Sequence, residues 1–223
     1  MRIVTCEISV IIPTLNEAET LAETLESIGT HSDTEIILVD GGSRDATAER
    51  GSQLGCRVLF TAAGRGSQLV AGAHAARGRW LWFVHADTRV PADWRELLWR
   101  PRIPVACLRL GIAGRHPGLR LIELGAQART AWDSIAYGDQ TLWITRSVYD
   151  SVGGHPPWPL FEDVGLGERL VAAGHAPARL HARVQTSARR WQHDGMLART
   201  LRNWQLRWRY AQGADPRIMA RSY

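Results

Sequence analysis

Three short segments place reactive side chains where apolar runs stop. His85-Ala86-Asp87 closes the run Trp80 to Val84, an acidic and imidazole pair able to bind a metal at the end of a buried strand. Open α/β sheets bind their ligands at that carboxyl edge. Asp40 ends the run Ile36 to Val39 and is followed by Gly41-Gly42-Ser43. Its carboxylate can accept a hydrogen bond from a base edge while the glycines admit a close ligand, or it can simply cap the turn before a helix. Glu162-Asp163 opens a helix after a Gly/Pro-rich loop, Gly153 to Pro159. Such a pair can complement the helix dipole or supply a general base. Gly64-Arg65-Gly66-Ser67-Gln68 offers a guanidinium and helix-start amides to an anion such as a diphosphate. As a dinucleotide fingerprint it fails, because Leu69 stands at the third glycine position. Asp139 and Gln140, in Tyr137-Gly138-Asp139-Gln140, precede a strand and can line a pocket or merely build a turn.

These residues need a scaffold of alternating strands and helices. The pattern predicts strands at 8–12, 35–39, 57–61 and 79–84. Helices lie between them: Ala18 to Ile28 ended by Gly29, one from Asp45, and one over 66–77. That order implies parallel strands. The second half is less regular, with a strand at 104–112, a helix at 118–132, a strand at 140–145, a helix at 163–173 and a last helix at 195–211. Leu197, Leu201, Trp204 and Trp208 form one stripe of that last helix. The favoured reading packs the stripe on the core, and the alternative docks it, beside Arg199, Arg202, Arg207 and Arg209, on anionic lipid. The chain reads as a single α/β domain, 1–223.

At 223 residues the chain can bury a sizeable core. No apolar stretch approaches the ~18 residues of a membrane span, and the amino terminus lacks a signal-peptide pattern. Cys6, Cys56 and Cys107 are odd in number and scattered, which suits reduced thiols in a cytoplasmic protein. All 27 basic residues are arginine, so chemistry through a Schiff-base or P-loop lysine is excluded. Eight of them fall between Arg179 and Arg209, and the formal net charge is +5. Anionic partners follow from this balance. Nucleic acid is not expected, since no aromatic-basic recognition motif accompanies the arginines.

The segments Pro13-Thr14-Leu15-Asn16-Glu17, Val39-Asp40-Gly41-Gly42-Ser43, His85-Ala86-Asp87, Phe161-Glu162-Asp163 and Thr186-Ser187-Ala188-Arg189-Arg190-Trp191 together resemble the family-2 glycosyltransferases. The resemblance runs from residue 8 to about 210 and implies a GT-A fold: a Rossmann-like, mostly parallel sheet with helices on both faces. A nucleotide-sugar half would occupy about 1–100 and an acceptor half about 101–223. It further implies an inverting transfer from a UDP-sugar to an acceptor the sequence does not identify. Pro13, Thr14, Leu15, Glu17, Asp40, Gly42 and Arg65 would bind the nucleotide, Asp40 contacting the base. Asp87, with His85 in place of the family's first aspartate, would hold Mg²⁺ or Mn²⁺. An imidazole is better tolerated by Mn²⁺. Asp163 would be the catalytic base. Glu162, Asp139, Gln140, Arg190 and Trp191 would meet the acceptor. Two departures stand out: Gly41 replaces a second aspartate, and Ser187 replaces the glutamine of processive members. Two rivals remain, a nucleotidyltransferase, disfavoured by the absence of lysine, and a non-catalytic module for nucleotide sugars or anionic lipid.

Overall fold

The computed structural model describes residues 6–99, 103–189, 191 and 195–220. A seven-stranded sheet is built from β1 (Ile8–Thr14), β2 (Thr34–Asp40), β3 (Arg57–Phe60), β4 (Trp80–Phe83), β6 (Val105–Arg109), β7 (Leu142–Thr145) and β8 (Ala178–Arg183), in the order β3-β2-β1-β4-β7-β6-β8. A second sheet pairs β5 (Thr88–Arg89) with β9 (Gln185–Thr186). The helices are α1 (Leu21–Ile28), α2 (Thr47–Gln53), α3 (Arg65–Ala75), α4 (Trp94–Trp99), α5 (Pro117–Asp133), α6 (Arg146–Ser151), α7 (Glu162–Ala172), α8 (Met196–Ala211) and α9 (Pro216–Met219).

Strands β1 to β4 are mutually parallel, as their alternation with helices predicts. β7 then runs antiparallel to both β4 and β6, so the sheet is mostly parallel but mixed. The period-2 rule explains how β1 serves two cores. Ile8, Val10 and Ile12 point to one face, against Leu21, Leu25 and Ile28 of α1. Ile11 points to the other, with Leu69 and Ala73 of α3 and Leu166 and Leu170 of α7. Burial on both faces accounts for the unbroken apolar runs of β1 and β2.

Chemistry concentrates where β1, β2 and β4 end together. The β1–α1 and β2–α2 loops are tied by Asn16 N donating to Ser43 Oγ (2.9 Å) and Arg44 N donating to Asn16 Oδ1 (2.8 Å). Gln68 of α3 is buried and donates through Nε2 to the carbonyls of Thr14 and Val39, each at 2.8 Å. This amide also explains the glycine at 41. A Cβ there would stand 3.1–3.3 Å from the Gln68 side-chain amide, so Gln68 and a larger residue 41 compete for one space.

The two halves meet at Gly66. A Cβ on Gly66 would come within 2.4 Å of the carbonyl oxygens of Pro156 and Trp158, and its amide donates to Trp158 O (3.0 Å). The Gly/Pro loop therefore lies directly on the start of α3 and leads on to α7.

The last helix departs from the favoured expectation. Leu201, Trp204 and Trp208 are 63%, 73% and 65% exposed, while the face carrying Leu206 packs inward on Met219 and Leu160. The stripe lies outside the contact face by its helical phase, so it does not build the core. The side chain of Leu197 lies outside the described residues.

Candidate active site

One cleft gathers Arg65, His85, Asp87, Asp139, Asp163 and Trp191, residues drawn from both halves of the chain. Asp87 stands where β4 gives way to β5. Thr186 Oγ1 donates to its Oδ1 (3.4 Å), and Ser187 N donates to its carbonyl (3.1 Å). The small β5–β9 sheet thus carries the Thr186-Ser187 segment to the end of β4.

Asp163 is aimed by backbone. Phe161 adopts a left-handed conformation (φ 60), uncommon for a residue with a Cβ. It packs against Tyr210, ring centroids 4.9 Å apart. This turn sends Glu162 inward and Asp163 to the cleft. Asp163 Oδ2 accepts from Gly138 N (2.8 Å) and Oδ1 from Val164 N (2.7 Å), which fixes the carboxylate. Gly138 is required there, because a Cβ would lie 2.6 Å from His85 Nε2 and 3.5 Å from Asp163 Oδ2. The same fact shows that His85 and Asp163 border the same turn.

Glu162 is 1% exposed and forms an ion pair with Arg65. Burial raises its pKa, opposed by the Arg65 charge. It does not itself line the cleft but is paired with Arg65, which does. Gln140 is also absent from the cleft lining. It is buried, its Oε1 accepting from Thr130 Oγ1 (2.8 Å) and Tyr137 N (3.1 Å), and it shapes the Gly138–Gln140 turn instead of lining the cleft. Asp139 does line the cleft. Burial raises its pKa, partly offset by the Arg129 charge, and Oδ1 is shielded from water with no hydrogen-bond partner. Arg190 lies outside the described residues.

The residues at the ends of β1 and β2 are outside the lining of this cleft. Leu15 is 46% exposed. Asp40 is buried and its carboxylate is engaged by its own turn: Oδ2 accepts from Gly42 N (3.0 Å) and Ser43 N (2.8 Å), and Oδ1 from Ser43 Oγ and from Thr14 Oγ1 (3.3 Å). Both oxygens are filled, so a further donor requires a hydroxyl, which rotates freely, to turn away. Pro13 and Thr14 supply the end of β1. Glu17 accepts from Arg189 (2.5 Å), and Arg189 also feels the charge of Asp87. Arg189, Thr186 and Gln68 were not singled out from sequence. All three stand within quoted segments, Gly64 to Gln68 and Thr186 to Trp191, but no role was read for them there.

Among the described residues no three His, Cys, Asp or Glu side chains form a metal cluster. Asp87 and His85 supply two donors in one cleft. That set fits a Mg²⁺ or Mn²⁺ ion taking its other ligands from phosphate and water, as these ions commonly do.

Behind the cleft, His155 is buried against Phe83, ring centroids 4.6 Å apart, and its Nδ1 shares a hydrogen bond with Tyr149 Oη (3.1 Å). Burial lowers its pKa from 6.5 to about 3, so it is neutral. A lowered histidine pKa stabilises the fold above the unfolded value and loses that contribution as pH falls. We expect stability, read by urea unfolding, to decline below pH 6.5 with an imidazole share of about 1.4 kcal/mol per pH unit. The share is measured as the difference in slope from a His155→Gln variant, and equal slopes would contradict it.

The mostly parallel mixed sheet, with helices on both faces and a polar cleft at its carboxyl edge, is an α/β fold of the GT-A type. Residues 9–101 match the family model Glycosyl transferase family 2. The PGL/p-HBAD biosynthesis glycosyltransferase Rv2957 of Mycobacterium tuberculosis is 41% identical over 88 residues, 35% of this chain and 34% of that protein. The chain therefore spans about a third of the length of the curated relatives it matches. Among solved structures, S. aureus TarS in complex with UDP is similar (TM-score 0.60, 16% identity), over 81% of this chain and 60% of TarS. So is glucosyl-3-phosphoglycerate synthase from Mycobacterium tuberculosis in complex with Mn²⁺, UDP and phosphoglyceric acid (TM-score 0.58, 21% identity), over 81% of this chain and 69% of that one.

Proposed function

We propose that the protein transfers a sugar, with inversion, from a UDP-sugar to an acceptor hydroxyl. The observation that carries this reading is the convergence of Asp87 and His85, from the matched segment, with Asp163, from the other half, in one cleft. In the proposed reaction Asp163 takes the proton of the acceptor hydroxyl as that oxygen attacks the anomeric carbon and the sugar–diphosphate bond breaks. Its two backbone hydrogen bonds hold one orientation and leave lone pairs for that proton. Asp87 and His85 would hold the divalent ion, which when bound supplies charge stabilisation to the departing diphosphate. Arg65 lines the same cleft and adds a fixed positive charge. Asp40 organises the loop that receives the base and contacts it when the Ser43 hydroxyl turns away. UDP in complexes of TarS and glucosyl-3-phosphoglycerate synthase supports the choice of nucleotide.

Incubation with UDP-sugars and Mn²⁺ tests the reaction class. UDP release supports sugar transfer. Pyrophosphate release from UTP and a sugar phosphate would instead make the chain a nucleotidyltransferase, and binding with neither release would make it a non-catalytic module.

We also propose a peripheral membrane contact. No described helix is long and apolar enough to cross a membrane. Leu201, Trp204 and Trp208 of α8 are nevertheless exposed, with Arg202 and Arg209 beside them, and α5 exposes Leu121, Leu124 and Trp132. Aromatic and basic side chains at one surface suit an anionic headgroup layer. Co-sedimentation with phosphatidylglycerol vesicles is expected, and Trp204→Ser with Trp208→Ser should reduce it at least tenfold. Equal sedimentation with phosphatidylcholine, or no effect of the substitutions, would contradict the contact. The three free thiols suit the reducing cytoplasm.

A further inference from the structure

The wall of the cleft opposite β4 comes from α5 and α8, outside the segment that matches the family. It is strongly cationic. Arg129 of α5 and Arg199 and Arg207 of α8 line the cleft, in addition to Arg65, which Glu162 already holds. The Arg129 guanidinium carbon lies 3.4 Å from the centre of the Tyr137 ring, and that of Arg207 lies 5.5 Å from the same ring. Two like charges at one ring repel each other, more so in a partly dry cleft. Their compensation is incomplete. Arg207 reaches Asp133 at 3.5 Å, whose other hydrogen bonds are from Tyr137 Oη (2.6 Å) and Ile135 N (3.0 Å). Arg129 has a buried Nε with no hydrogen-bond partner and makes no ion pair among the described residues. Asp139 and Asp163 offset some of the field without direct contact to it.

The position of this pair decides what it is for. Tyr137 immediately precedes Gly138, whose amide fixes Asp163. An anion held by Arg129 and Arg207 would thus lie on the Asp163 side of the cleft, away from the loops at Asp40 that receive the nucleoside. A guanidinium fork matches phosphate or carboxylate oxygens in pairs. We propose that the acceptor carries a phosphate or carboxylate near the hydroxyl that is glycosylated, and that Arg129 and Arg207, with Arg199 at the rim, hold that group. This inference rests on the transferase reading of the same cleft.

Calorimetric titration of inorganic phosphate into the chain preloaded with UDP and Mn²⁺ tests it. Phosphate is expected to bind, and Arg129→Gln and Arg207→Gln should each weaken it by roughly tenfold or more, the loss of one charge-assisted hydrogen bond. UDP affinity should stay within about twofold, which also reports that the variants are folded. No phosphate binding by the UDP-loaded chain, or unchanged phosphate affinity in both variants, would overturn the proposal. A parallel loss of UDP affinity would overturn it too, by assigning these arginines to the donor. Failure of the unsubstituted chain to bind UDP would instead remove the transferase reading. Competition then separates the sources. Displacement by glycerol phosphate supports a soluble acceptor, and displacement by phosphatidylglycerol vesicles alone supports a lipid headgroup. Displacement by neither marks an adventitious ion only and ends the proposal.

Discussion

Asp163→Asn is expected to lower the rate of sugar transfer by about a thousandfold, within the range for a positioned general base. The side chain keeps its shape, so its Oδ1 can still accept from one of the two amides at Gly138 and Val164. What it loses is the capacity to take a proton. Steady-state assays should therefore show kcat collapsing while UDP affinity by calorimetry stays within about twofold. That split separates a base from a structural residue, because a disordered turn at Gly138 would also move His85 and weaken nucleotide binding. Equal losses of transfer and of UDP affinity would remove Asp163 from the chemistry.

Glu162→Ala is expected to cost about 3–5 kcal/mol of stability, the usual penalty for removing one partner of a buried ion pair. The carboxylate is 1% exposed and its ion pair is with Arg65. Removing it leaves the guanidinium partly buried beside the Gly66 contact with Trp158, where the two halves meet. Chemical unfolding measures the loss. Glu162→Gln keeps the volume and one acceptor oxygen, and should recover part of it. A loss below about 1 kcal/mol, the range of exposed pairs, would show that the pair contributes little.

The first half of the fold was legible because its signals are local. Uninterrupted apolar runs ending in Asp40 and in His85-Ala86-Asp87 mark buried parallel strands, and the helices between them keep their 3.6-residue stripes. Asp163, which lines the cleft, was singled out through the resemblance of Glu162-Asp163 to a family motif, since an acidic pair at a helix start is commonly just a dipole partner. Residues that act over long separations were not. Gln68 reaches Thr14 and Val39, Thr186 reaches Asp87, and Arg189 reaches Glu17 across 172 positions. Nothing in a periodic pattern reports such pairings. That Glu162 and Gln140 stand behind the cleft lining was not legible, because a motif gives adjacency but not direction. The left-handed turn at Phe161 sends neighbouring side chains to opposite sides, and Gln140 folds back on Tyr137. The Trp204–Trp208 stripe was misread because apolar periodicity identifies a face without saying what it faces. Strand β8 was missed for the opposite reason. Ala178–Arg183 alternates half-buried and exposed residues and has little apolar content, so its pairing with β6 leaves no strong signature.

In the proposed reaction Asp87 and His85 form the metal-dependent end of a nucleotide-diphosphate site. Titration of UDP by calorimetry, with Mn²⁺, with Mg²⁺ and with chelator, tests this directly, with Asp87→Ala as the comparison. UDP binding is expected to require a divalent ion, to be tighter with Mn²⁺, and to fall at least tenfold in Asp87→Ala. Binding that is equal with chelator, or unchanged in the variant, would contradict it.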